Sequence, residues 1–171
     1  NENILGLSFA RKFSDKLMLA TQFDYYSVYF SRNEGSKGKV LVQVGILSKP
    51  IEDLYIGFQV FNPVQTNIET AIYSKDLPSI FSLGMSYSFS EKLLWAVQAD
   101  KDIRFETQWA TEFEYRIEDY FLVKLGCLHN ETFIPSMGFG LNLCSFRVDT
   151  NFAFHSTLGI SSNIALTYKL K

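Results

Sequence analysis

Residues 81–89 read FSLGMSYSF, and this stretch decides the fold. Its odd-numbered positions from Phe81 to Phe89 are large and apolar, whereas its even-numbered positions are serine or glycine. Side chains alternate across a β-strand with a period of two, while a helix repeats every 3.6 residues. The stretch therefore predicts a strand with one apolar and one polar face. It is also longer than the usual strand of about five or six residues.

The same alternation recurs along the chain and predicts about eleven strands. They fall near residues 3–13, 17–30, 39–49, 54–62, 79–89, 93–102, 105–116, 119–129, 135–143, 145–155 and 161–170. A tilted strand needs about ten residues to cross a bilayer, and short turns alternating with longer loops are typical of membrane barrels. We therefore expect an all-β fold, an antiparallel up-and-down transmembrane β-barrel, with residues 1–171 forming a single domain.

The composition agrees with a barrel in a bacterial outer membrane. Aromatic residues make up 16 % of the chain, and such an excess suits the aromatic girdles at membrane surfaces. No apolar run approaches the length of about eighteen residues that a transmembrane helix requires. The net charge of −2 and the lack of a basic stripe argue against nucleic acid as a partner. Membrane lipid is the expected surrounding.

A soluble barrel that binds lipids or other small hydrophobic molecules is the alternative, because its strands would also alternate. In that class the apolar face would point inward. The polar face of this chain is rich in Gly, Ala, Ser and Gln and carries charges of both signs, which favours a polar lumen and an apolar exterior. Solubility without detergent would favour the soluble class.

Charged residues on the polar face form the first candidate site. The predicted lumenal polar cluster consists of Asp100, Glu112, Glu114, Arg116, Lys124, Arg147, Asp149 and Lys169; Asp24 also falls on this face. Charges removed from water must be compensated, so these residues are expected to pair with one another. A polar pathway or a ligand-selective lining is the functional alternative. Arg147 is expected within reach of Asp149, Glu112 or Glu114.

The longest connection, residues 62–78, is the second candidate site. Within it Ile68, Ile72 and Tyr73 are apolar in a way that a fully solvated loop does not require, and they predict an extracellular contact surface. The alternative is a lid folded over the barrel mouth that buries these side chains.

Catalytic, metal and cofactor sites are not predicted. His129 and His155 lack a neighbouring carboxylate cluster, and Cys127 and Cys144 lack a metal or redox spacing. We therefore expect a non-enzymatic protein without a cofactor.

Several short motifs resemble PorV/PorQ-type outer-membrane proteins, which belong to the wider FadL-like barrel class. They are LPS at 77–79, SLGMSY at 82–87, FEY at 113–115, FGLNL at 139–143, FRVD at 146–149 and HSTLG at 155–159. Thr111 stands where the family has glycine, and Thr150 and Ser156 replace its usual Tyr and Pro.

The resemblance implies two roles. Such proteins are accessory subunits of a secretion or cell-surface system, with other outer-membrane or secretion proteins as partners, or they are channels for hydrophobic small molecules. The FadL-like plan has about fourteen strands and an N-terminal hatch. An odd count of eleven strands also breaks the even-number rule for bacterial barrels. We therefore expect this chain to be the C-terminal portion of a larger barrel, without that barrel's N-terminal strands and hatch.

Overall fold

The structure, a computed structural model, describes residues 2–31, 35–69 and 74–169. These residues form thirteen β-strands, and no helix long and apolar enough to cross a membrane occurs among them. The strands are β1 (Glu2–Ser14), β2 (Leu17–Ser31), β3 (Gly35–Ile51), β4 (Leu54–Phe61), β5 (Asn67–Glu69), β6 (Ser74–Asp76), β7 (Ile80–Ser88), β8 (Leu93–Asp102), β9 (Gln108–Glu118), β10 (Phe121–Asn130), β11 (Thr132–Leu143), β12 (Phe146–His155) and β13 (Gly159–Tyr168).

Eleven of these strands form one sheet, in the order β1-β2-β3-β4-β7-β8-β9-β10-β11-β12-β13. Each strand of this sheet is thus hydrogen-bonded to the strand that precedes or follows it in the sheet, as in an up-and-down meander. The pairs from β1 to β3 and from β9 to β13 are all antiparallel. The predicted eleven-strand antiparallel meander is confirmed.

Contacts divide the chain into two compact units. Unit 1 comprises Asn1–Ile51, Ile56–Leu83 and Asp100–Phe105, and unit 2 comprises Glu52–Tyr55, Gly84–Ala99 and Glu106–Lys171. The organisation of residues 1–171 as one domain stays a prediction.

In unit 1 the apolar face of the sheet is exposed, and part of the opposite face is buried. Leu5 on β1 is 76 % exposed, and Phe9, Phe23 and Val40 on the same face are also exposed. On the opposite face Asp24 is only 2 % exposed. The same face also buries the apolar side chains of Tyr26, Val28 and Leu41, whereas the more continuous apolar face stays exposed.

Unit 2 shows the same inversion. Leu125 is 55 % exposed and Phe113 is 47 % exposed, whereas Leu122 on the opposite face is fully buried. Register places the apolar residues in continuous rows: Phe113 lies opposite Leu125, and Leu125 lies opposite Met137. The rows expose an apolar surface much larger than scattered single residues would give.

The β10–β11 turn corrects one sequence expectation. A hairpin about residue 132, between the predicted strands 119–129 and 135–143, would place Cys127 opposite roughly Met137. Instead Asn130 pairs with Thr132 around Glu131, whose φ is 55°, and Cys127 lies opposite Pro135. The alternation pattern cannot reveal this shift of two residues, because a shift by two keeps every side chain on its original face.

Candidate functional site

Five charged residues of unit 2 meet on its polar face and form a charge network, defined as Glu112, Glu114, Lys124, Arg147 and Asp149. The Arg147 guanidinium donates to both carboxylate oxygens of Asp149, with Nε to Oδ2 at 2.7 Å and the second bond at 3.0 Å. Arg147 also reaches Glu114 at 3.5 Å. The bidentate contact fixes the orientation of both side chains.

Lys124 is the centre of this network. Its ammonium lies 3.2 Å from Asp149, 3.8 Å from Glu114 and 4.0 Å from Glu112. The Lys124 side chain is only 13 % exposed, whereas that of Glu112 is 40 % exposed. One largely buried cation thus faces three carboxylates. Lys124 is needed to compensate these carboxylates, because desolvated charges without partners destabilise a fold.

The strands bring these residues together because their registers align. Glu114 on β9 lies opposite Lys124 on β10, and Lys124 lies opposite Gly138 on β11. Asp149 on β12 lies opposite Gly140. The ion pair between Lys124 and Asp149 therefore spans β11 at the level of its two glycines.

Glycine is required at these two positions of β11. A Cβ on Gly138 would meet the Asn151 side chain and would lie 2.8 Å from the backbone oxygen of Thr150. A Cβ on Gly140 would meet Leu122 and would approach the Asp149 carboxylate at 3.1 Å. Side chains from β10 and β12 can reach across β11 only because it presents no side chains there.

The structure brings together five of the eight residues of the predicted lumenal polar cluster. Asp100 belongs to unit 1 and is half-buried. Arg116 is exposed and lines, with Lys92 and Glu114, a cleft of about 470 Å³ beside the turn between β7 and β8. Lys169 is exposed and follows β13, where its backbone N–H donates to the Ser145 carbonyl. Arg116 and Lys169 take part in none of the ion pairs of the charge network.

The predicted contact loop requires a correction. We use the name strap for its described residues, 62–69 and 74–79, which include the paired strands β5 and β6. Ile68 is 1 % exposed and packs in a cluster with Tyr26, Val28, Leu41 and Leu77, with Phe61 against it. Ile68 is therefore not a surface contact residue. The internally packed alternative describes it better, whereas Ile72 and Tyr73 lie outside the described residues.

Asn62 holds the base of the strap. It is 1 % exposed and has a φ of 50°, a conformation that Asn tolerates better than most residues. Its side-chain nitrogen donates to the carbonyls of Leu77 and Pro78, and its side-chain oxygen accepts from the Thr66 N–H at 3.1 Å. One side chain thus joins the two limbs of the strap.

Unit 1 carries a group of hydrogen-bonded polar residues that the alternation pattern does not reveal. We call it the amide belt, defined as Ser8, Gln22, Asp24, Gln43 and Gln59. Ser8, Gln22 and Gln43 lie directly opposite one another on β1, β2 and β3, and Gln59 on β4 bonds to Gln43 at 2.9 Å. Only Asp24 drew attention in the sequence, because glutamine and serine are unremarkable on a polar face until register aligns them.

Groups of at least three His, Cys, Asp or Glu side chains with metal-binding geometry are not found within the described ranges. Cys127 is half-buried and Cys144 exposed, and both are free thiols.

No protein-family model matches the sequence, and no curated protein matches it. Among solved structures, the chain has the fold of outer-membrane β-barrels that are channels and porins. One is the Ralstonia pickettii toluene transporter TbuX, with a TM-score of 0.73 and 12 % identity over 99 % of this chain and 69 % of that one. Another is the CymD monoaromatic hydrocarbon channel, with a TM-score of 0.71 and 10 % identity over 99 % and 74 %.

The KdgM porin is a further example, with a TM-score of 0.60 and 8 % identity over 99 % of this chain and 97 % of that one. At such identities the likeness shows the fold alone. It supports the expected all-β barrel class, whereas the PorV/PorQ-type identity and the secretion role stay predictions.

Proposed function

We propose that this chain forms the wall of a non-enzymatic outer-membrane β-barrel channel, with its apolar face toward lipid and its polar face toward the lumen. The observation that carries the proposal is the inverted burial of the sheet in each unit. On interior strands, large apolar residues such as Phe23 and Phe113 are exposed, while Asp24 and Leu122 on the polar face are buried. Lipid is the solvent in which an exposed apolar face of this extent is stable.

The contacts on the polar face support the same orientation. Every carboxylate of the charge network lies within 4.0 Å of Lys124 or Arg147. Charges paired in this way suit a lumen with little water better than an exterior surface, where ion pairs contribute little. A soluble barrel with an apolar interior would place the same two faces in the opposite sense.

Passage of small molecules is the activity that we propose for the barrel. The similarity in fold to a toluene transporter and to a monoaromatic hydrocarbon channel supports hydrophobic solutes. The similarity to porins supports solutes that cross through a water-filled lumen. These two classes of solute can be separated by experiment.

The full chain, refolded from urea into detergent and then into lipid bilayers, tests this proposal. We expect a heat-modifiable band on gel electrophoresis and stepwise conductance in planar bilayers. Swelling of loaded liposomes in arabinose would favour the porin-like lumen, and transfer of labelled toluene without swelling would favour the hydrophobic channel. A chain that folds and stays monomeric without detergent would contradict the membrane assignment.

A further inference from the structure

The hydrogen bonds of the amide belt in unit 1 all point toward Asp24. Ser8 Oγ donates to Gln22 Oε1 at 2.6 Å, and Gln22 Nε2 donates to Asp24 Oδ1 at 2.6 Å. From the other side, Gln59 Nε2 donates to Gln43 Oε1 at 2.9 Å, and Gln43 Nε2 donates to Asp24 Oδ2 at 2.6 Å. All four hydrogen bonds therefore point toward the Asp24 carboxylate, which lies in the middle of the belt.

This direction determines what the belt presents at its two ends. Ser8 and Gln59 are both exposed, and each uses a hydrogen atom for the bond toward Asp24. The Ser8 hydroxyl oxygen and the Gln59 amide carbonyl accept no hydrogen bond within the belt and stay available as acceptors. Chains of hydrogen bonds polarise one another, so the buried charge strengthens both ends as acceptors.

The charge of Asp24 is not cancelled by a basic side chain. Both of its oxygens accept from neutral amides, and it takes part in none of the ion pairs found among the described residues. Leu41 on β3 lies opposite Asp24, and Lys39 lies two positions away on the same face. The Lys39 side chain is exposed, so solvent screens its charge. The belt therefore keeps a negative potential.

The backbone preserves space for this arrangement. Gly6 lies directly opposite Asp24. A Cβ on Gly6 would meet the Asp24 carboxylate and would lie 3.0 Å from the Gln22 side-chain nitrogen. Any other residue at this position would displace the hydrogen bond between Gln22 and Asp24.

We propose that the amide belt is a selectivity element that favours cations and neutral hydrogen-bond donors over anions in the lumen next to unit 1. This inference rests on the proposed channel function. The solutes that it favours carry ammonium, hydroxyl or metal-cation groups, and those that it disfavours carry carboxylate or phosphate groups.

Reversal potentials of the full chain in planar bilayers, across a gradient of potassium chloride, test the proposal. We expect the wild-type chain to prefer potassium over chloride. Asp24→Asn keeps the size of the side chain and removes its charge. It should lower the ratio of potassium to chloride permeability roughly sevenfold, because a unit charge about 7 Å away in water changes each permeability about threefold and in opposite directions. Asp15→Asn, in an exposed turn beside Lys12, removes one carboxylate outside the belt and should leave the ratio unchanged.

Gln59→Lys is the second variant, and it places a cation at the exposed end of the belt. Because Gln59 is not buried, this variant should fold. It should shift the preference toward chloride, and it decides the matter if Asp24→Asn does not refold. A conducting wild type that prefers chloride would overturn the proposal for the belt alone. So would a conducting wild type whose ratio neither variant changes. A folded, inserted wild type without conductance would overturn the channel function and the belt's role with it.

Discussion

Replacing Lys124 by methionine is the sharpest test of the charge network. Methionine keeps most of the aliphatic length and removes the cation. The network contains three carboxylates and two basic groups, a formal charge of 2 − 3 = −1, so the variant has 1 − 3 = −2. Asp149 and Glu114 keep Arg147, whereas Glu112 loses the one basic partner that it has among the described residues.

The expected cost follows from burial. Removing one partner from a fully buried pair costs about 3–5 kcal/mol. Lys124 is 13 % exposed, but Glu112 is 40 % exposed and water relieves part of its charge. We therefore expect Lys124→Met to lower the free energy of unfolding by about 2–4 kcal/mol.

Urea-induced unfolding of protein inserted into lipid vesicles measures this change. Lys12→Met is the matched control, because Lys12 pairs with Asp15 at an exposed turn, and it should leave the unfolding curve unchanged. The double variant Lys124→Met with Glu112→Gln removes the stranded carboxylate and should recover part of the loss. Additive effects of the two changes, within about 0.5 kcal/mol, would refute the coupling inferred from the structure.

Three further predictions use the same unfolding assay. Phe113→Arg, on the exposed apolar face, should cost about 2–4 kcal/mol at mid-membrane, and equal tolerance of Arg at Ala110 on the opposite face would reverse the face assignment. Gly138→Ala forces a Cβ to 2.8 Å from a backbone oxygen of β12 and should lower the free energy of unfolding by about 1–3 kcal/mol. Gly84→Ala is the control, because its Cβ would lie 3.8 Å from the nearest atom, and it should lower the free energy less. Equal losses for the two variants would contradict the steric argument. Asn62→Gly keeps the positive φ but leaves the buried hydrogen-bond partners of Asn62 unsatisfied, which should lower the free energy of unfolding by about 1–3 kcal/mol. Protease resistance of the strap should therefore fall. An unchanged digestion pattern would show that Asn62 does not anchor the strap.

The sequence was sufficient to predict the sheet because period-two alternation is a property of local residues. The eleven strands of the meander, their antiparallel order and the two faces all follow from it. The charge network was also within reach. Glu112 and Glu114 share a face of β9, and the predicted strand order places Lys124 on the next strand, so these residues could be expected near one another.

Two features were beyond such reasoning because they depend on register and on tertiary packing. The amide belt exists only because Ser8, Gln22 and Gln43 fall in one row, and alternation does not fix which row a residue occupies. The burial of Ile68 depends on contacts with Tyr26 and Leu41, which are distant in the sequence. An apolar residue in a connection predicts that its side chain is buried, but not which surface buries it.

The two glycines of β11 have a consequence for folding errors. Strand β11 contributes no side chain to the charge network, yet the ion pair between Lys124 and Asp149 crosses it. If β11 slipped by two residues against its neighbours, apolar and polar faces would still match, and alternation alone would not reject the mispaired sheet. The slip would bring Ser136 or Asn142 to a glycine position, where its side chain would block the crossing. The glycine pair and the ion pair above it therefore penalise a slip of two residues, a misalignment that the hydrophobic pattern permits.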